Sequence, residues 1–193
     1  MSMNSVSKHR LHSIACQIEQ IFVDHPGELR IVVDLSNQIK GQIETLDPFI
    51  QKNTLTVCSK CEECCCIDRY SYYNCDDLIY IMALDLAPQK LQNGDDSGPC
   101  FFLTDKGCSL DRTVRPSGCN WYFCNSLYLQ MNTGQDKEFA EFSENMEKLF
   151  NLWIELISQF RSKFIKITDC ELGAVDLVSD SQRKASYQLT AIR

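Results

Sequence analysis

FAEFSENMEKLFNLWIELISQFRSKF, residues 139–164, is the stretch that decides the fold class. Phe139, Phe142, Met146, Leu149, Phe150, Trp153, Leu156, Ile157, Phe160 and Phe164 return every three or four positions. That is the period of an α-helix with one apolar stripe, kept for about seven turns. A stripe this rich in aromatics is core material and needs other elements to cover it. Its most apolar run, Leu149 to Phe160, is too short to span a bilayer and contains Glu155.

Working outward, the N-terminal part repeats the pattern. Leu11, Ile14, Ala15, Ile18, Ile21 and Phe22 form one apolar face, which Asp24-His25-Pro26-Gly27 interrupts. Leu29, Val32, Val33, Ile39, Ile43 and Leu46 form a second, expected to end before Asp47-Pro48. These two segments predict an antiparallel helical pair. The expected fold is mainly α, with helical flanks around an irregular Cys-rich centre that includes a small β-hairpin. The zones are an N-terminal helical flank over 1–52, a Cys-rich core over 53–125, a C-terminal helical flank over 126–168 and a mobile tail over 169–193, all in one domain. Within the centre, Asp76-Asp77 followed by Leu78, Ile79, Ile81, Met82 and Leu84 predicts a short helix to about Leu86. Gln92 to Pro99 reads as a polar loop, and Phe101-Phe102-Leu103 with Cys108-Ser109-Leu110 reads as a hairpin around Asp105-Lys106-Gly107.

The chain has 193 residues and a formal charge of −7, and it contains 12 cysteines. The negative balance argues against a nucleic-acid surface, which needs a basic stripe. Residues 1–22 lack the apolar core of a signal peptide, because Gln17 and Glu19 interrupt the run. The expectation is a soluble cytoplasmic protein with no membrane segment, where clustered thiols stay reduced and read as metal ligands.

Ten of the cysteines fall between Cys58 and Cys124. Cys58-Ser-Lys-Cys61-Glu-Glu-Cys64-Cys65-Cys66 contains two C-x2-C steps back to back, a spacing that lets one turn aim several sulfurs at one centre. A second group follows in Pro99-Cys100, Gly107-Cys108 and Arg115-Pro116-Ser117-Gly118-Cys119 to Cys124. Together these segments resemble the YkgJ-type cysteine-cluster family, a zinc- or iron-chelating domain, over roughly residues 55 to 125. The resemblance implies that Cys58, Cys61, Cys64, Cys65, Cys100, Cys108, Cys119 and Cys124 bind metal. Cys66 and Asn120 stand where the family commonly has basic residues.

The spacing leaves the metal open between an iron–sulfur cluster and zinc. Cys58, Cys61 and Cys64 match the first three ligands of a ferredoxin-like run, but the fourth position is Asp68, so a distant cysteine would complete the set. Eight thiolates also suffice for two four-thiolate zinc sites. The triple step tilts the reading towards iron–sulfur. A thiolate-held metal is anionic, and Arg115, fixed before Pro116 and near Cys119, is the first candidate to face it from outside the ligand shell. Pairing with Asp111 is the alternative role for Arg115. Cys16 and Cys170 read as small buried residues, and Cys66 and Cys75 as spare thiols.

The leading functional expectation is a metal-binding protein with an electron-transfer or metal-handling role. A structural zinc module that binds a protein partner through its helical flanks is the alternative, and a cluster-dependent modification enzyme is a third. No glycine-rich nucleotide loop, G-x-S-x-G or Walker motif is present to favour an enzyme.

Overall fold

Helices account for most of the molecule. A computed structural model describes residues 5–61, 65–67, 72–89, 98–105, 107–132 and 137–164. The N-terminal flank folds as α1 (Ser5–Asp24) and α2 (Arg30–Val57), joined by a turn at His25 to Leu29. α1 packs chiefly on the short helix of the centre, and α2 on the C-terminal helix, so the two do not form the antiparallel pair expected. Ile14, Ala15, Ile18 and Ile21 are buried on α1, with Leu11 and Phe22 packed at the margin of the core.

α2 runs past the expected stop at Asp47-Pro48 and ends at Val57. A proline inside a helix removes one backbone hydrogen bond and costs roughly 3 kcal/mol. Beyond it, Ile50 and Asn53 are buried and Phe49 packs against the core, so the continued helix brings contacts of its own to set against the proline.

The partner that buries them is the C-terminal helix, numbered below after the intervening elements. The centre supplies α3 (Cys75–Ala83), a two-stranded antiparallel hairpin β1 (Leu103–Thr104) and β2 (Gly107–Cys108), and two short helices, α4 (Gly118–Trp121) and α5 (Asn125–Met131). The chain then enters α6 (Lys137–Phe164), the long helix read from its stripe. α2 and α6 lie antiparallel. Gln42 donates to the Asn145 carbonyl at 3.0 Å, the rings of Phe49 and Phe142 stack at 4.7 Å, and Lys52 pairs with Glu138 at 2.8 Å.

α3 is buried at eight of its nine positions. A helix covered all round belongs in the middle of a fold, and α3 packs against α1, α2 and α6. It begins with a capping box in which the Asn74 side chain accepts from the Asp77 amide and the Asp77 carboxylate accepts from the Asn74 amide, both at 2.9 Å. It ends where Asp85 takes a left-handed conformation at φ 57°, with the Leu86 amide donating back to the Ile81 carbonyl.

The hairpin pairs Leu103 with Cys108 and Thr104 with Gly107. Gly107 is therefore in the strand and not in the turn, as the sequence had suggested, and its φ of 101° is one that only glycine adopts without strain. Lys106, most of the polar loop read at Gln92 to Pro99, and the tail over 169–193 lie outside the described residues. No helix among the described residues is long and apolar enough to cross a membrane.

Pro48 is exposed although it lies in the middle of α2. Pro48→Ala restores a helical hydrogen bond without opening a cavity and should stabilise the protein by up to about 3 kcal/mol. Urea unfolding followed by circular dichroism checks this. A loss of stability would show that the proline sets a local geometry the fold needs.

Candidate metal centre

The cysteines are held mostly by backbone turns. Cys58 caps the C-terminus of α2, and its carbonyl accepts from the Cys61 amide at 3.3 Å within a 3-10 turn. Both residues are exposed. Cys64 and Cys170 lie outside the described residues. Cys65 is half-buried and Cys66 exposed.

The first cysteine group meets the second through the backbone. The Cys100 amide donates to the Cys66 carbonyl at 2.9 Å, and Ile67 and Pro99 form an antiparallel bridge. Beyond them, Leu103 N–H donates to Cys100 C=O at 2.9 Å, which leads into the hairpin that carries Cys108. Cys119 sits in α4, its amide bonded to the Pro116 carbonyl at 2.8 Å, and Cys124 is the N-cap residue of α5.

Two sulfur neighbourhoods result. The neighbouring Cys66 side chain, and then burial, push the Cys65 thiol strongly upward, and Cys124 acts against them. Cys119 is pushed up to about 12, chiefly by burial, and Cys108 and Cys100 act on it electrostatically in the same direction. Cys100 and Cys108 thus lie within electrostatic reach of Cys119, and Cys66 and Cys124 within reach of Cys65. Among the described residues, no group of three or more His, Cys, Asp or Glu side chains is arranged so as to hold a metal ion.

Two arginines bound the second neighbourhood. Arg115 donates through Nε and Nη2 to the Leu110 carbonyl at 2.9 and 2.8 Å. Its charge lowers both the Cys119 thiol and the Asp111 carboxyl, so it acts on both groups considered from the sequence. Arg112, which the sequence reading did not select, is buried. Its Nε donates to Asp47 at 2.5 Å, and Nη1 reaches the Cys119 carbonyl at 3.4 Å. No local signal links Arg112 to Asp47, which lies 65 positions away on a helix expected to have ended.

The anchor of this region is Asp77. While one carboxylate oxygen caps α3, the other accepts from the Ser117 amide at 2.9 Å. Tyr73 and Tyr80 hold the adjoining turn by donating to the carbonyls of Val114 and Thr113 at 2.5 and 3.0 Å. The capping box also has a sequence signature, Asn74-x-x-Asp77, which the reading of Asp76-Asp77 as a charged helix start did not use.

The remaining cysteines divide differently from expectation. Cys75 opens α3 in the buried core. Cys16 is exposed on α1, with its sulfur 4.0 Å from His12, and is not the small buried residue expected. Position 16 falls just outside the covered face formed by Ile14, Ala15 and Ile18. Comparison with protein-family models, curated proteins and solved structures finds no match to this chain.

Burial pushes Asp77 up to about 6, above the ordinary value of 3.8 that it regains on unfolding. Between those two pH values the native state holds a proton that the unfolded chain has released. The contribution of this group to stability is therefore fully present below pH 3.8 and is lost as pH rises through about 6. Asp77→Asn removes that dependence, so its stability relative to the parent should improve from pH 4.5 to pH 7, roughly the window that the two values bracket. Urea unfolding of both proteins across this range tests it, and a constant difference would show that Asp77 does not titrate there.

Proposed function

We propose that the centre is a thiolate metal site, formed by Cys58, Cys61, Cys64, Cys65, Cys100, Cys108, Cys119 and Cys124, with an electron-transfer or metal-handling role in the cytoplasm. The observation that carries this reading is the backbone bond from the Cys100 amide to the Cys66 carbonyl, which sets two cysteine groups far apart in sequence side by side. In a reducing compartment, a concentration of thiols maintained by backbone turns has metal ligation as its ordinary chemical use.

The donor set fits the metals considered. Thiolates suit zinc and iron–sulfur clusters, and no histidine approaches from the centre's own sequence. When bound, an iron–sulfur cluster supplies one-electron chemistry, and zinc supplies only cross-linking. The protein's own part would be to bring the sulfurs together on binding, with Arg115 near Cys119 and the access of water to Cys119 limited. An iron–sulfur cluster is the favoured occupant, on the repeated C-x2-C steps. The YkgJ-type resemblance agrees with this reading and extends it to that family.

A second reading, two separate zinc sites, is favoured by the division of the sulfurs into the Cys65 and Cys119 neighbourhoods. Anaerobic purification with visible absorption and assays of iron, sulfide and zinc separates the two. A coloured protein with iron and sulfide supports the cluster, and a colourless one with zinc supports the second reading. A metal-free protein that stays folded would overturn both.

Metal and local folding should also be coupled, because structural zinc contributes on the order of 10–16 kcal/mol in small peptides. Cys61→Ser and Cys119→Ser should each lose metal and open the centre to protease, while α6 keeps its helical signal. Cys16→Ser should retain metal. Metal content and limited proteolysis of the three variants provide the check, and full metal in Cys61→Ser would show the assigned shell to be wrong.

A further inference from the structure

We propose that Cys58 and Cys61 form a dithiol that a small organic disulfide oxidises to a disulfide within the chain, which withdraws both sulfurs from metal. The withdrawal rests on the metal shell proposed above; the dithiol rests on the turn that holds the two residues. Cys58 to Lys60 is a single 3-10 turn, closed by the bond from the Cys61 amide to the Cys58 carbonyl at 3.3 Å. In a 3-10 helix, with a rise of roughly 2 Å per residue, side chains three positions apart lie one above the other and their Cα atoms are about 6 Å apart. A disulfide needs Cα atoms roughly 4.4–6.8 Å apart with their Cβ atoms on the same side. Cys58 has helical backbone angles, φ −71° and ψ −26°. Cys61 turns the chain away through its ψ of 120°, while its φ of −79° keeps its Cβ where the helical turn puts it. Closing the bridge therefore needs rotation about side-chain bonds and leaves the backbone bond intact. Access selects the same pair, because Cys58 and Cys61 are both exposed, whereas Cys100, Cys108, Cys119 and Cys124 are half-buried.

The exchange balances with that one reactant. One of the two cysteine sulfurs attacks a sulfur of the small disulfide, whose S–S bond breaks, and the first small thiol leaves. The other cysteine sulfur attacks the first, the S–S bond within the chain forms, the mixed disulfide breaks and the second small thiol leaves. Each leaving sulfur takes up a proton, from the cysteine or from water. The pair of cysteines is oxidised by two electrons, and the small disulfide is reduced to two thiols. An excess of the small thiol drives the same steps backwards, so the bridge is reversible.

The test uses the full chain as purified, incubated with oxidised glutathione without air, quenched in acid, alkylated and cut with trypsin. Cleavage after Lys60 separates the two cysteines: residues 53–60 contain only Cys58, and residues 61–69 contain Cys61, Cys64, Cys65 and Cys66. The expected product is those two peptides joined through Cys58 and Cys61, and excess reduced glutathione should reopen it. Cys61→Ser should stop at a Cys58 that carries glutathione. Bound metal should leave the parent protein in step with the bridge. A bridge from Cys58 to any other cysteine, a glutathione that stays on Cys58 of the parent, or a Cys58 still alkylated after other cysteines have oxidised would overturn the proposal. Metal retained while the bridge forms would overturn the withdrawal and take both residues out of the assigned shell. If the purified protein carries no metal, the peptide map still decides the dithiol, so failure of the metal reading and failure of this one are told apart.

Discussion

A buried carboxylate organises the centre of this molecule. Asp77 lies at the N-terminus of a helix that has almost no exposed surface, where an uncompensated charge is costly. It is tolerated because the Asn74 and Ser117 amides both donate to it. Those two bonds tie the start of α3 to the Arg115-Pro116-Ser117 turn, and that turn carries Cys119. Removing the carboxylate would leave two amides without their acceptor, each costing roughly 1–3 kcal/mol where buried. The position of Cys119 thus depends on a helix cap. Its placement relative to the core also depends on the two tyrosine bonds that hold Thr113 and Val114.

The helical frame and the Cys-rich centre are consequently one structure. α3 belongs to the centre by sequence but to the core by packing: Leu78, Ile79, Tyr80 and Ile81 are all at most 1% exposed. Tyr80 lies 5.1 Å from Trp153 of α6, and Arg161 of α6 pairs with Asp76 at 3.1 Å. The hydrophobic stripe of α6 therefore supports the turns that hold the cysteines, through a helix nine residues long. A loosened thiol centre would leave α3 in place, since its burial comes from α1, α2 and α6.

The features read correctly from sequence were those whose cause is local. The stripe of α6 and the face of α1 follow from side-chain period alone, and each element appears where its apolar residues require. The hairpin was legible because its strands adjoin, although Gly107 lies one step further along than the turn chemistry suggested. What the sequence hid depends on distant partners. The continuation of α2 beyond Pro48 is met by Phe142 and Glu138 on α6, which no local rule at Asp47-Pro48 contains. The role of Arg112 requires Asp47, and the role of Asp77 requires Ser117. The burial of Cys75 and the exposure of Cys16 depend on which helix face meets a neighbour. The cysteine motif marks eight sulfurs by type and spacing, but not that the Cys100 amide bonds to the Cys66 carbonyl, a contact across 34 positions.

Charge shows why the two arginines beside Cys119 are not equivalent. Arg112 is buried and paired with Asp47, and Cys119 also acts on it electrostatically. Arg115 hydrogen-bonds to the Leu110 carbonyl, a neutral acceptor that fixes the guanidinium in place without cancelling its charge. The Cys119 thiol is accordingly lowered by Arg115, against the upward push of burial and of its sulfur neighbours. A thiolate centre of the kind proposed would add negative charge to a region that already contains Asp77 and Asp111, and the Arg115 cation would make that charge less costly to bury. Arg112 instead braces the turn, linking α2 to the Cys119 backbone through Asp47. The two side chains thus meet at one turn: Arg112 connects it to the helical frame, and both place positive charge near Cys119.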